Sequence, residues 1–163
     1  MNSNDLALEN RALIERFYRA FQQRDGAAMA ACYHANAGFR DPVFELEGAR
    51  VGAMWQMLTS RGADLRVEFS NVSADATSGS ADWQAWYKFS ASGRRVHNII
   101  SARFRFAEGL IIEHVDTFDF WRWSRQALGP IGMLLGWSPM VRGKVRREAA
   151  RALDRFVDGA KST

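Results

Sequence analysis

The spacing of hydrophobic residues changes period along the chain, and the changes divide it into parts. Over residues 4–23, Leu6, Leu13, Ile14, Phe17 and Phe21 recur at helical intervals among arginines and glutamines, which predicts an amphipathic helix with one buried stripe. Asp25-Gly26 breaks this helix, and the alanine-rich run from Ala27 to Tyr33 predicts a short second one. A short strand from Ala37 to Asp41 stops at Pro42. Gly48 then precedes a third helix, in which Val51, Met54, Trp55 and Leu58 share a face up to Gly62.

From Leu65 onward the period is two. Leu65, Val67 and Phe69 alternate with Arg66, Glu68 and Ser70, and Trp83, Ala85, Tyr87 and Phe89 alternate with Asp82, Gln84, Trp86 and Lys88. After a turn at Ser92-Gly93, Asn98, Ile100, Ala102, Phe104 and Phe106 alternate with His97, Ile99, Ser101, Arg103 and Arg105. Glu108-Gly109 is a hairpin signal that pairs this strand antiparallel with the next, IIEHVDTFDFW. In that stretch Ile112, His114, Asp116 and Phe118 fall on one side, and Ile111, Glu113, Val115 and Thr117 on the other. If the first set faces inward, it carries an imidazole and a carboxylate into an apolar interior. Helices followed by a meander of strands predict an α+β fold, with helices packed on one face of a curved antiparallel sheet.

The last part is different again. Residues 129–137 form an apolar, glycine-rich connector, and Ser138-Pro139 is a helix start with a capping serine before a first-turn proline. Val141, Val145, Ala149, Ala152 and Phe156 then mark an apolar stripe. Domain organisation is therefore read as a body over residues 1–128, with a connector and basic amphipathic helix over 129–163 belonging to the same domain. The aromatic run Phe118, Phe120, Trp121 and Trp123 is read as packing for this tail.

Charge sharpens the view of the tail. Residues 139–163 hold seven basic and three acidic side chains, a difference that equals the whole net charge of +4. The other residues balance, so a nucleic-acid-binding body is not indicated. The basic helix has three uses open to it, covering the mouth of a pocket, packing on a partner subunit, or lying on an anionic membrane surface, and packing within a dimer is the one expected. The start of the chain shows no basic region followed by an apolar one, and no run approaches a membrane span, so a cytoplasmic location is expected. The single cysteine, Cys32, reads as a small core residue.

The order of elements, together with Tyr33, Phe39-Arg40-Asp41-Pro42, the helix start at Gly48 and the ending from Gly109 to Asp116, resembles the SnoaL-like branch of the nuclear transport factor 2-like superfamily. The resemblance spans about residues 8–122. It implies a cone-shaped antiparallel sheet wrapped around the N-terminal helices, here with an extra C-terminal helix, and a homodimer joined through the outer sheet face. Outward Trp86, Ile99 and Ile111 suit such an interface. The superfamily includes catalysts and pure binding proteins, so function must come from individual residues.

By that resemblance, the proton-shuttling aspartate of ketosteroid isomerases falls on Asp41. Their oxyanion tyrosine falls on Phe17, with Tyr18 one residue out of register, and their oxyanion acid falls near Ser101 or Ala102, so this chain lacks that oxyanion hole. The inward acid of the SnoaL-type cyclases falls on Asp116. Limonene epoxide hydrolases need an inward arginine, which has no counterpart in these strands.

The candidate catalytic residues are thus Asp41, Asp116 and His114, in a funnel whose ligand-binding walls are Tyr33, Phe39, Trp55, Trp83, Asn98 and Phe118. Two carboxylates in an apolar funnel raise one another's pKa, and an imidazole titrates near neutrality, which suits proton transfer without a metal or other cofactor. Bland readings stand beside each role. Asp41 before Pro42 also serves as a turn former, His114 as a satisfied core histidine, and Asn98 as a support for either neighbour. Three functions remain open: acid–base cyclisation or isomerisation of a small hydrophobic carbonyl compound, binding of such a ligand without chemistry, and a protein-interaction module.

Overall fold

The computed structural model describes residues 2–162. Helix α1 (Ser3–Gln22) is opened by Asn2, which caps the backbone N–H of Asp5, and buries Leu13, Ile14, Phe17, Tyr18 and Phe21. Helix α2 (Gly26–Ala30) follows, capped by Asp25, and is shorter than the alanine run suggested. Helix α3 (Ala49–Arg61) runs between Gly48 and Gly62 as expected and buries Val51, Met54, Trp55 and Met57.

Six strands form one curved sheet: β1 (Tyr33–Arg40), β2 (Glu45–Glu47), β3 (Arg66–Ala74), β4 (Ser78–Phe89), β5 (Arg94–Ala107) and β6 (Leu110–Thr117). Their order is β2-β1-β6-β5-β4-β3. All neighbours are antiparallel except β1 and β6, so the sheet is mixed rather than purely antiparallel. The parallel pair arises because α3 and the β3–β5 meander lie between these two strands in the chain. Helices α1 and α3 cover the inner face, where Phe17, Trp55, Phe39, Phe104 and Trp83 meet in the main core.

One strand departs from simple alternation. Phe106 pairs with Ile111 while Arg105 pairs with Glu113, which leaves Ile112 as the extra residue of a bulge. Ile111 is therefore fully buried in the core, and Ile112 does not share the inner row of His114 and Asp116. Ile111 cannot contribute to an outer-face interface. Of the other two residues expected there, Ile99 is half exposed, whereas Trp86 stacks on His97 and lies under the Arg66 guanidinium.

Beyond β6, Asp119 caps a helix that the aromatic run concealed, α4 (Phe120–Leu128). The connector forms a short helix, α5 (Pro130–Leu135), and Ser138 caps α6 (Pro139–Lys161) as the Ser-Pro pair predicts. Leu153 of α6 is fully buried in the main core, with Ala152, Phe156 and Val157 packed beside it. Arg50 of α3 pairs with Asp154 at 2.7 Å, and Arg146 donates to the Pro42 carbonyl at 2.9 Å. A second cluster of Val96, Phe120, Trp123 and Ala127, with Val43, Tyr87, Phe118 and Val145 around it, closes the end of the cone where β1 turns into β2.

Candidate functional site

The inner row of β6 is built on β5 and β1. Ala102 and Phe104 pair with Asp116 and His114 on one side, and Phe39 pairs with His114 on the other. The register of β1 slips between Tyr33 and Gly38, a bulge that keeps both Tyr33 and Phe39 on the inner face. His114 is thereby enclosed by Phe17, Phe39, Trp55 and Phe104, with ring centroids 4.3–6.0 Å away, and is 0% exposed.

These residues form one hydrogen-bonded chain. Trp55 Nε1–H donates to Tyr33 Oη at 2.8 Å, and Tyr33 Oη is 2.6 Å from His114 Nδ1. His114 Nε2 is 2.9 Å from Asp116 Oδ1, which also accepts from Trp83 Nε1–H at 3.3 Å. Burial, and then the Asp116 charge, hold the Tyr33 phenol well above its usual pKa, so it keeps its proton. With its oxygen already accepting from Trp55, Tyr33 donates to Nδ1, which assigns the imidazole proton to Nε2 and directs it at Asp116. Both donors to Asp116 fall on Oδ1, so Oδ2 keeps its lone pairs for another donor.

Along β6, Asp116 is 4% exposed and Phe118 is half-buried, while the buried wall residues Tyr33, Trp83 and Asn98 are each 8–9% exposed. Beyond Asp116 the row leads towards Phe118, Tyr87 and Asp41, at the end that the second cluster closes. Asp41 makes no hydrogen bond to His114 or Asp116. Its Oδ1 accepts from the backbone N–H groups of Val43 and Phe44, each at 2.6 Å, so it does form the turn after β1. Burial nevertheless raises its pKa from 3.8 to about 6, against those two bonds, with the Asp116 charge adding to the rise and His114 reducing it.

The structure brings His114, Asp116, Tyr33, Trp55 and Trp83 into direct contact and places Phe39 against the imidazole ring, whereas Asn98, Phe118 and Asp41 make no hydrogen bond to this row. Phe17 and Ala102, the positions where the ketosteroid isomerase donors would fall, are buried without a donor. Tyr18 stacks on Phe69 instead, and its buried hydroxyl has no hydrogen-bond partner among the described residues. The pairing of Tyr87 Oη with Trp123 Nε1 at 2.7 Å escaped sequence reasoning, because it joins β4 to a helix that was not foreseen.

Two grooves lie on the outer face, and neither is lined by Asp41, His114 or Asp116. Among the described residues no group of three or more His, Cys, Asp or Glu side chains is placed to hold a metal ion, and no helix is long and apolar enough to cross a membrane. Cys32 is buried, which pushes its thiol pKa up and makes it a poor nucleophile.

The model of the SnoaL-like domain matches residues 14–114. No curated protein matches the sequence. Among solved structures, an LEH-like epoxide hydrolase from M. tuberculosis superposes with a TM-score of 0.63 at 18% identity, covering 78% of this chain and 96% of that one. TsrD from Streptomyces laurentii gives 0.63 at 21% identity, covering 74% and 95%. A proposed polyketide cyclase from Xanthomonas campestris gives 0.63 at 17%, covering 75% and 98%. At such identities the likeness is one of fold.

Proposed function

The chain belongs to the SnoaL-like domain family, and on that premise we propose that it is a cofactor-independent acid–base catalyst that isomerises or cyclises a small hydrophobic carbonyl compound. The observation that carries this reading is the carboxylate of Asp116, held on one oxygen by His114 and Trp83 within an apolar row. Its free oxygen is the base that takes a proton from the carbon next to the carbonyl. Tyr33 and Trp55 fix the tautomer and orientation of His114, and His114 fixes Asp116, so the base is preorganised. Asp41, protonated over part of the neutral range, is the acid that returns the proton, while Phe118, Trp83 and Asn98 hold the substrate.

The test is exchange of carbon-bound protons. Small apolar ketones incubated with the protein in heavy water should exchange their α-protons at least about a hundredfold faster than in buffer, and Asp116→Asn should remove that acceleration. Absence of exchange across a range of ring sizes, with no shift of Asp116 or Trp83 NMR signals on adding ketone, would end the catalytic reading. One observation favours a second reading, an interaction module: the interior around His114 is filled by Phe17, Phe39, Trp55 and Phe104.

A homodimer through the outer sheet face belongs to the same proposal and rests on Ile99, exposed beside Trp86. Light scattering at micromolar concentration should give twice the chain mass, and Trp86→Glu should halve it. A monomer in both cases removes the dimer.

A further inference from the structure

Helix α5 is packed inside out. Its buried residue is Gly132, and Gly136, which follows it, is buried too; both press on Ser124 of α4, where a Cβ on either would overlap Ser124 atoms. Only a glycine edge allows so close an approach, and its consequence is that every large side chain of the segment turns outward. Leu134 is 69% exposed, Trp137 70% and Met140 72%, with Ile131, Met133, Leu135 and Trp121 beside them. On α6, in contrast, Val145, Ala152 and Phe156 of the apolar stripe pack against the domain's two clusters. A patch of this size is not accounted for by the domain's own core.

Charge around the patch is one-sided. Residues 120–147 contain Arg122, Arg125, Arg142, Lys144, Arg146 and Arg147 and no acidic residue, and none of these six makes an ion pair with a carboxylate among the described residues. Arg125 and Arg142 lie instead over the rings of Trp121 and Phe120.

We propose that α5 and its flanks, Trp121 and Ile131 to Met140, are a docking surface for an anionic lipid bilayer, with Leu134, Trp137 and Met140 entering the interface and the surrounding arginines and Lys144 meeting the headgroups. A second copy of the chain would bring six like charges against six others, which opposes it as the occupant. Tryptophan at the edge of an apolar patch flanked in sequence by basic residues matches the chemistry of a bilayer interface, apolar below and anionic above. The inference is independent of the catalytic reading, since it uses none of the residues of the inner row.

Full-length protein is sedimented with vesicles of equimolar phosphatidylglycerol and phosphatidylcholine and with vesicles of phosphatidylcholine alone. The expected partition into the anionic vesicles is at least about tenfold higher, falls at least about tenfold in about 0.5 M salt, and shifts tryptophan emission to the blue. Leu134→Gln with Trp137→Gln changes two exposed side chains, leaves circular dichroism unchanged, and should lower the partition by about tenfold or more. Failure to bind the anionic vesicles overturns the proposal. So does binding that the double substitution leaves intact, because the basic residues would then act alone. Loss of self-association in the double variant, with no vesicle binding by the parent chain, overturns it in favour of a contact between copies.

Discussion

Asp116→Ala will melt about 10 °C below the parent protein, the largest loss expected of any single substitution in the inner row, while Asp116→Asn stays within about 1.5 kcal/mol of it. The alanine removes the acceptor for two buried donors, His114 Nε2–H and Trp83 Nε1–H, and the aromatic packing around them admits no replacement. Each stranded donor costs about 1–3 kcal/mol and the vacated space adds to it, so the total is about 3–5 kcal/mol. Asparagine keeps an oxygen at the Oδ1 position and can satisfy both. Urea unfolding of the two variants at neutral pH separates the cases. Equal losses would mean that the charge of Asp116, rather than its acceptor oxygen, holds the row together, and the proton assignment of His114 would fall with it.

The inner row was legible because a strand shows one face per alternate residue. His114, Asp116, Asn98 and Trp83 could be placed on one side from period alone, and Gly48 marked a helix start and Gly93 and Gly109 turns, all three adopting positive φ. What alternation could not reveal is where the count slips. The bulge at Ile112 arises from pairing with β5, and no residue type in Leu110–Glu113 announces it, so Ile111 was expected on the wrong face. The same limit applies to β1, whose bulge extends the strand back to Tyr33. The contact between Tyr33 and His114 joins residues 81 positions apart and depends on both bulges and on the parallel pairing of β1 with β6. Helix α4 was hidden for a different reason: Asp119, which caps it, continues the polar–apolar alternation of β6 by one more step. The connector was recognised as apolar, but burial of its glycines rather than its leucines follows from the close approach to Ser124, which is a tertiary fact.

Asp41→Asn should change stability in a way that depends on pH, and the sign follows from its raised pKa. In the folded chain the carboxyl titrates at about 6 rather than 3.8, mainly because burial disfavours its charge. Between those two values the folded state holds a proton that the unfolded state has released, so the parent protein loses stability as pH rises through this window. Below about pH 4 both states are protonated and no penalty exists; above about pH 6 the full penalty is present, with a ceiling of about 3 kcal/mol from a shift of about two units. Asparagine presents the same Oδ1 to the N–H groups of Val43 and Phe44, so the turn after β1 is kept while the buried charge is removed. The variant should therefore be about 1–3 kcal/mol more stable than the parent at pH 7.5 and close to it at pH 4. Because the Asp116 charge adds to the shift, the gain at pH 7.5 should be smaller in an Asp116→Asn background. Urea melts of the four chains across pH 4 to 7.5 form a double-mutant cycle. A gain independent of pH would show that Asp41 is not the titrating group, and an additive cycle would show that the two carboxylates do not sense each other.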